Sequence, residues 1–170
     1  KYQKEVSRSI AGALEQGILG WEVTDINITL IGGEDHEIHS RPGNFKIATN
    51  LALMKALENS KTTLLEPMFA FSISIEEDKC GRVMSDIMQM RGVCETPQIE
   101  NGFAVIKGKV PAATSADYQL TLSSISGGKA LFQTSFAGYE KCEVSLGKTR
   151  PYKGVNPLDR AKYILKMRGA

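Results

Sequence analysis

The 170-residue chain is poor in the residues from which small proteins build catalytic or metal centres. It holds two histidines, three cysteines and one tryptophan, and aromatic residues make up 7% of it. Cys80, Cys94 and Cys142 are odd in number and show no C-x-x-C spacing. That pattern suggests neither a disulfide framework nor a thiolate zinc site, and it fits a reducing, cytoplasmic compartment. No apolar run approaches the roughly 18 residues that span a bilayer, and no secretory signal opens the chain, so no membrane partner is expected. A phosphate-cradling loop is missing too. Gly147-Lys148-Thr149 has Cys142 where G-x-x-x-x-G-K-S/T requires its first glycine, and Pro151 where a helix should follow. Methionine is absent from position 1, while Tyr2, Val6, Ile10 and Leu14 already recur every fourth residue. A helix under way at the first position reads as a fragment.

What is present is enough apolar sequence, 42%, to bury the core of one ordinary domain or two small ones. The net charge of +2 is unevenly spread, because residues 146–170 carry seven basic groups and one acidic group. Such a cluster is either a solvated helix face or a footprint for polyphosphate or RNA.

The first helix runs to Gly17, a natural left-handed cap, and the alternation of Ile26, Ile28 and Leu30 with polar neighbours predicts a strand. A polar loop, "GGEDHEIHSRPGNF", follows at 32–45. Ser40 and Pro42 are helix-start signals for a second helix reaching about Leu57. One strand and two helices cannot close a two-layer domain, so this region needs further strands or a neighbour. Beyond it, Phe69, Phe71, Ile73 and Ile75 alternate as a strand, and Val83, Ile87 and Met90 mark one helix face. Two short strands then flank Asn101-Gly102, a type I′ hairpin signal. A helix with Tyr118, Leu122 and Ile125 ends near Gly127-Gly128, and "ALFQTSFAGY" is the last strand. The order β-α-β-β-α-β is that of a ferredoxin-like domain with both helices on one face of the sheet. A final helix is expected over about 156–167.

His36 and His39 invite a metal hypothesis, but their spacing is loose and no third histidine exists. Ser40 lies near both without an orienting third group, so nucleophilic catalysis has no support either. A plain surface loop or a partner-contacting loop remains. Phe103, within "NGFAVIKG", falls where an RNA-recognition domain carries a stacking ring, although Val105 and Gly108 stand where further pattern residues belong. A free-standing RNA-recognition module is therefore an alternative. A small-molecule-sensing ferredoxin-like domain has no residue signature.

From Leu65 onward the chain resembles elongation factor G and its relatives, the tetracycline ribosomal protection proteins. The resemblance is carried by "LLEPMFAFSI", by "GRVMSDIMQMRG" with Arg91-Gly92, and by "KVPAATSADYQLTLSSISGGKA" with Val110-Pro111, Tyr118, Gly128 and Lys129. The first 63 residues are similar to most of that family's fourth domain without its opening strand. His36 falls where elongation factor G has a tip histidine. Ser40, Pro42 and Phe45, "AGY" at 137–139 and "NPLDRAKYIL" are similar to the protection proteins, which carry tyrosine, serine, proline and valine in place of His36, Glu37, Ile38 and His39.

The resemblance implies an α+β chain of two small two-layer domains. Residues 1–63 form a partial fourth-domain lever of the ribosomal S5 domain 2-like type with a tip loop at 32–42. Residues 64–170 form a ferredoxin-like fifth domain with a basic C-terminal helix. It further implies a non-catalytic, ribosome-binding segment of a translational GTPase. GTP and magnesium would be held by upstream domains, with no cofactor in this segment and no DNA or membrane partner. Gly32, Gly33, His36, Glu37, Ile38, His39, Ser40, Arg41 and Pro42 would contact 16S rRNA at the decoding region. Lys148, Arg150, Lys153, Arg160, Lys162, Lys166 and Arg168 would hold ribosomal RNA phosphates, 23S rRNA included. Gly32-Gly33 is expected to turn the chain sharply, Pro42 to restrain its return, and Glu37 to pair with Arg41 unless a base donates to it.

Overall fold

The computed structural model describes residues 2–41 and 43–169. In chain order the elements are α1 (Gln3–Leu14), α2 (Asn44–Ser60), β1 (Leu64–Glu76), α3 (Cys80–Gln89), β2 (Val93–Cys94), β3 (Gln98–Glu100), β4 (Phe103–Pro111), the short α4 (Ala112–Ser115), α5 (Tyr118–Ser126), β5 (Leu131–Cys142) and α6 (Arg160–Met167). They fall into two compact units, residues 64–143 and residues 1–63 with 144–170. The mixed α and β class expected from the sequence is what the chain adopts. The basic tail, assigned from sequence to the second domain at 64–170, instead packs with the first unit, because its contacts are to the end of α1 and to α2.

In residues 64–143 the strands are ordered β2-β4-β1-β5, with β3 also pairing β4, and every pairing is antiparallel. This is the β-α-β-β-α-β sheet that the hydrophobic periods specify. Ile73 sits between Ile106 and Phe132. Phe71, Ile73 and Ile75 of β1 and Ile106 and Val110 of β4 are buried against Val83 and Ile87 of α3 and Tyr118 and Leu122 of α5. Alternation on the strands and i, i+4 spacing on the helices bring these side chains to one layer. Asn101 (φ 53°) and Gly102 (φ 78°) make the expected hairpin turn. Pro67 cannot donate to a ladder, and β1 accommodates it at a register shift between Pro67 and Phe69. The shift moves the inward face by one residue, so Leu64 and Met68 are buried on even numbers and Phe71, Ile73 and Ile75 on odd ones. Gly108 allows β2 to approach β4: a Cβ there would lie 1.9 Å from the Val93 carbonyl oxygen.

The other unit is built on helices. α1 packs along α2, the Tyr2 and Phe45 rings stack at 4.1 Å, and Ala13, Met54 and Leu57 are buried. α6 joins α2 through Tyr163, whose hydroxyl accepts a 2.5 Å hydrogen bond from Asn50 Nδ2. The strand expected at 26–30 does not form. Residues 26–31 form no regular element, no strand among the described residues pairs with them, and Asp25 breaks the alternation with a φ of 55°. A strand exists only through a partner's hydrogen bonds, which alternation in one segment cannot supply. Ile31 is consequently 96% exposed.

Candidate functional site

Between that unpaired segment and α2 the chain makes a compact turn on the backbone of His36. The His36 carbonyl accepts from His39 N–H at 3.2 Å and from Ser40 N–H at 2.8 Å. Its own N–H donates to Ser40 Oγ at 2.8 Å, so Ser40 closes the turn from both its backbone and its side chain. The Ile38 N–H reaches His36 Nδ1 at 3.4 Å. The two imidazoles lie outside the protein, ring centroids 4.5 Å apart and tilted by 34°. Glu37, Ile38, His39 and Arg41 are exposed with them, presenting donors, acceptors and planar faces on a short, hydrogen-bonded knuckle. No group of three or more His, Cys, Asp or Glu side chains suited to a metal gathers among the described residues.

Several expectations about this loop need correction. Neither Gly32 nor Gly33 adopts a positive φ, and a Cβ on either would meet nothing within 4 Å, so the sharp turn is at 37–39 instead. Ser40 closes the tip and does not start α2. That role falls to Gly43 (φ 91°), and the exposed N-terminal amides of Gly43 and Lys46 donate to Glu5 Oε1 at 2.8 and 3.4 Å. The cap thus comes from α1, 38 residues away, where no local pattern could reveal it. Pro42 lies outside the described residues. Glu37 and Arg41 form no ion pair among the described residues.

The tail is strapped to the end of α1. Trp21 Nε1 donates to the Lys148 carbonyl at 2.6 Å, Arg150 N–H to the Leu19 carbonyl at 3.0 Å, and Lys153 N–H to Gln16 Oε1 at 2.8 Å. The Arg150 guanidinium lies 3.4 Å over the Trp21 ring. Gly20 makes this approach possible, since its φ is 78° and a Cβ would sit 1.9 Å from the Arg150 carbonyl oxygen. Of the basic residues expected to hold phosphates, Arg150 is therefore committed to an aromatic face and Lys162 to Asp159 at 3.0 Å. Lys162 correspondingly holds the Asp159 carboxyl below its usual pKa. Lys148, Lys153, Arg160, Lys166 and Arg168 are exposed and have no ion pair among the described residues. Trp21, the lone tryptophan, is the one residue in the sequence that could have signalled this strap. Gly147-Lys148-Thr149 lacks the helix N-terminus on which a phosphate-cradling loop depends, since no helix begins at this point. These three residues do not fit the phosphates of GTP with magnesium.

Phe103 is 43% exposed at one end of β4, paired with Glu76 and Glu100. On the sheet face away from the helices its strand carries Val105, Lys107 and Lys109, opposite Ser74, Ser72 and Ala70 of β1. A stacking surface for successive bases needs further rings, and this face of β4 and β1 has none at those positions.

Residues 1–61 match the family model described as elongation factor G, domain IV, and residues 63–150 match the one described as elongation factor G C-terminus. Tetracycline resistance protein TetP of Clostridium perfringens is 30% identical over 164 residues, covering 96% of this chain and 25% of TetP. A crystal structure of a protein from Thermus thermophilus shares the fold, with a TM-score of 0.70 at 24% identity over 99% of this chain and 24% of that one. The chain spans about a quarter of the length of these relatives. No helix of the described residues is long and apolar enough to cross a membrane. With both domain models matched in order along one polypeptide, the chain belongs to the elongation factor G family.

Proposed function

We propose that this chain is a ribosome-binding segment of a cytoplasmic translational GTPase, in which the turn at 36–40 is pushed into folded RNA at the decoding region. The observation that carries this reading is the exposed knuckle itself: two neighbouring imidazoles mounted on a turn that is closed by backbone hydrogen bonds. Insertion into RNA calls for a stiff shape bearing donors, acceptors and flat faces, and it calls for no nucleophile. The exposed cations of the tail add phosphate contacts, whose strength falls with salt. GTP and magnesium belong to a nucleotide-binding domain elsewhere in the polypeptide, and this segment does no chemistry. The likeness to TetP favours action as a ribosomal protection protein over tRNA translocation, as do Ser40 at the tip and Phe45 in the first turn of α2.

The test is binding of the chain to purified small ribosomal subunits. Replacing His36 and His39 together by glycine is expected to weaken binding at least about tenfold with little change in the thermal midpoint, because the shortest hydrogen bonds of the turn come from its main chain and Ser40. Unchanged affinity in the double variant overturns the proposal.

A further inference from the structure

We propose that the cleft between the root of the tip loop and α6 grips an RNA phosphodiester through Arg41, Lys46 and Arg168. This rests on the reading of the tip as a ribosomal RNA contact and deepens it, adding Lys46 and naming the group that is bound. The cleft has a volume of about 700 Å³ and is lined by cations from three parts of the same unit. Arg41 leaves the tip loop, Lys46 stands in the first turn of α2, and Arg168 closes α6.

All three are exposed, and among the described residues none has a carboxylate within 4.0 Å. Several other cations are paired, Lys55 with Glu58, Arg91 with Glu66, Lys109 with Glu140, Lys129 with Glu76 and Lys162 with Asp159, whereas the unpaired Lys148, Lys153, Arg160 and Lys166 do not line this cleft. Like charges gathered on one cleft repel each other, and an external anion relieves that repulsion. Glu5 Oε1 accepts from the backbone amides of Gly43 and Lys46, and the ammonium and guanidinium groups of the three cations stay beyond 4.0 Å from its carboxylate. With those amides engaged, the grip comes from side chains and not from the end of α2.

Two features favour a nucleic-acid backbone over a free anion. The cleft is far larger than one phosphate needs, and Ile47 and Met167 give it an apolar wall suited to a ribose between charged groups. Two guanidiniums also match the planar, bidentate geometry by which phosphate oxygens are held. The cleft adjoins His39, so a strand met by the tip continues into it without a break.

The experiment measures binding of the whole chain to purified small ribosomal subunits across about 50 to 200 mM potassium chloride. Each of Lys46→Gln and Arg168→Gln is expected to flatten the slope of log K against log salt by about 0.7 to 0.9, and the double variant by about twice that. Lys55→Gln, whose ammonium is paired with Glu58, leaves the slope as it was. Thermal midpoints of all variants stay together, since every altered side chain is exposed. Slopes equal to that of the unmodified chain, with its binding intact, overturn the cleft proposal alone. If the unmodified chain fails to bind, the ribosomal reading falls and the cleft proposal with it. A thermal midpoint raised by inorganic phosphate and lost in Lys46→Gln, with the ribosomal salt slope unaffected, identifies a small-anion site and also overturns it.

Discussion

Arg91 carries both a backbone constraint and an ion pair. It stands at φ 65° just past α3, a conformation that costs a residue with a Cβ roughly 1 kcal/mol. Its guanidinium reaches both oxygens of Glu66 on β1, at 2.6 and 2.8 Å, so the helix end is tied to the sheet by a bidentate pair. That hydrogen bonding holds the Glu66 carboxyl below its ordinary pKa of 4.5, against the opposing effect of burial. A carboxylate lowered in the folded state stabilises above its unfolded pKa, and the contribution is lost as pH falls through the folded value. Arg91→Ala is expected to lower stability by about 2 kcal/mol in urea titrations at pH 7. Its deficit should shrink when the titrations are repeated well below about pH 4. Arg91→Gly loses the same pair but relieves the backbone, and should be the more stable of the two by about 1 kcal/mol. The neighbouring Gly92 is fixed separately, by its N–H bond to the Ile87 carbonyl and by contacts a Cβ would violate. Arg91-Gly92 is recognisable in the sequence as a helix terminator, while the ion pair, 25 residues away on another strand, has no local sign.

At the scale of elements, what the sequence made legible was whatever repeats. The period of two in Phe69, Phe71, Ile73 and Ile75, the helical spacing of Val83 and Ile87, and Asn101-Gly102 each specify an element through its own neighbours. The run at 26–31 has the same alternation, yet no ladder, because pairing is a property of two segments. The end of α1 is a second case of long-range dependence. Nothing periodic marks residues 147–153 as a strap, but Trp21 and Gly20 hold them in place. Gly20→Ala is expected to cost more than about 2 kcal/mol, through both its positive φ and the collision with the Arg150 carbonyl. Limited proteolysis with trypsin should then cut at Lys148 and Lys153 faster than in the unmodified chain, where backbone hydrogen bonds hold both residues.

For the whole molecule, the sequence indicated two units and the structure redistributes the tail between them. Residues 144–170 belong with 1–63. That places the C-terminal cations on the unit that bears the tip, so the proposed RNA contacts form one body of structure. On the proposed function, exchanging this segment for the matching quarter of TetP should give a chimera that still raises tetracycline tolerance in growing cells. A second chimera lacking His36 and His39 should not. The tip was legible in outline, as a long polar loop between a helix and an alternating run. Its geometry was not, because Ser40 signals a helix start in sequence and a turn closure in space. The shorter hydrogen bonds that shape this turn come from the main chain of residues 36, 39 and 40 and from one serine hydroxyl, with the His36 ring adding a 3.4 Å bond from the Ile38 N–H. The outward side chains at 37 and 39 are therefore interchangeable cargo on a mount fixed by their neighbours. Selection can rewrite what such a head recognises, one letter at a time, without first having to rescue a broken fold.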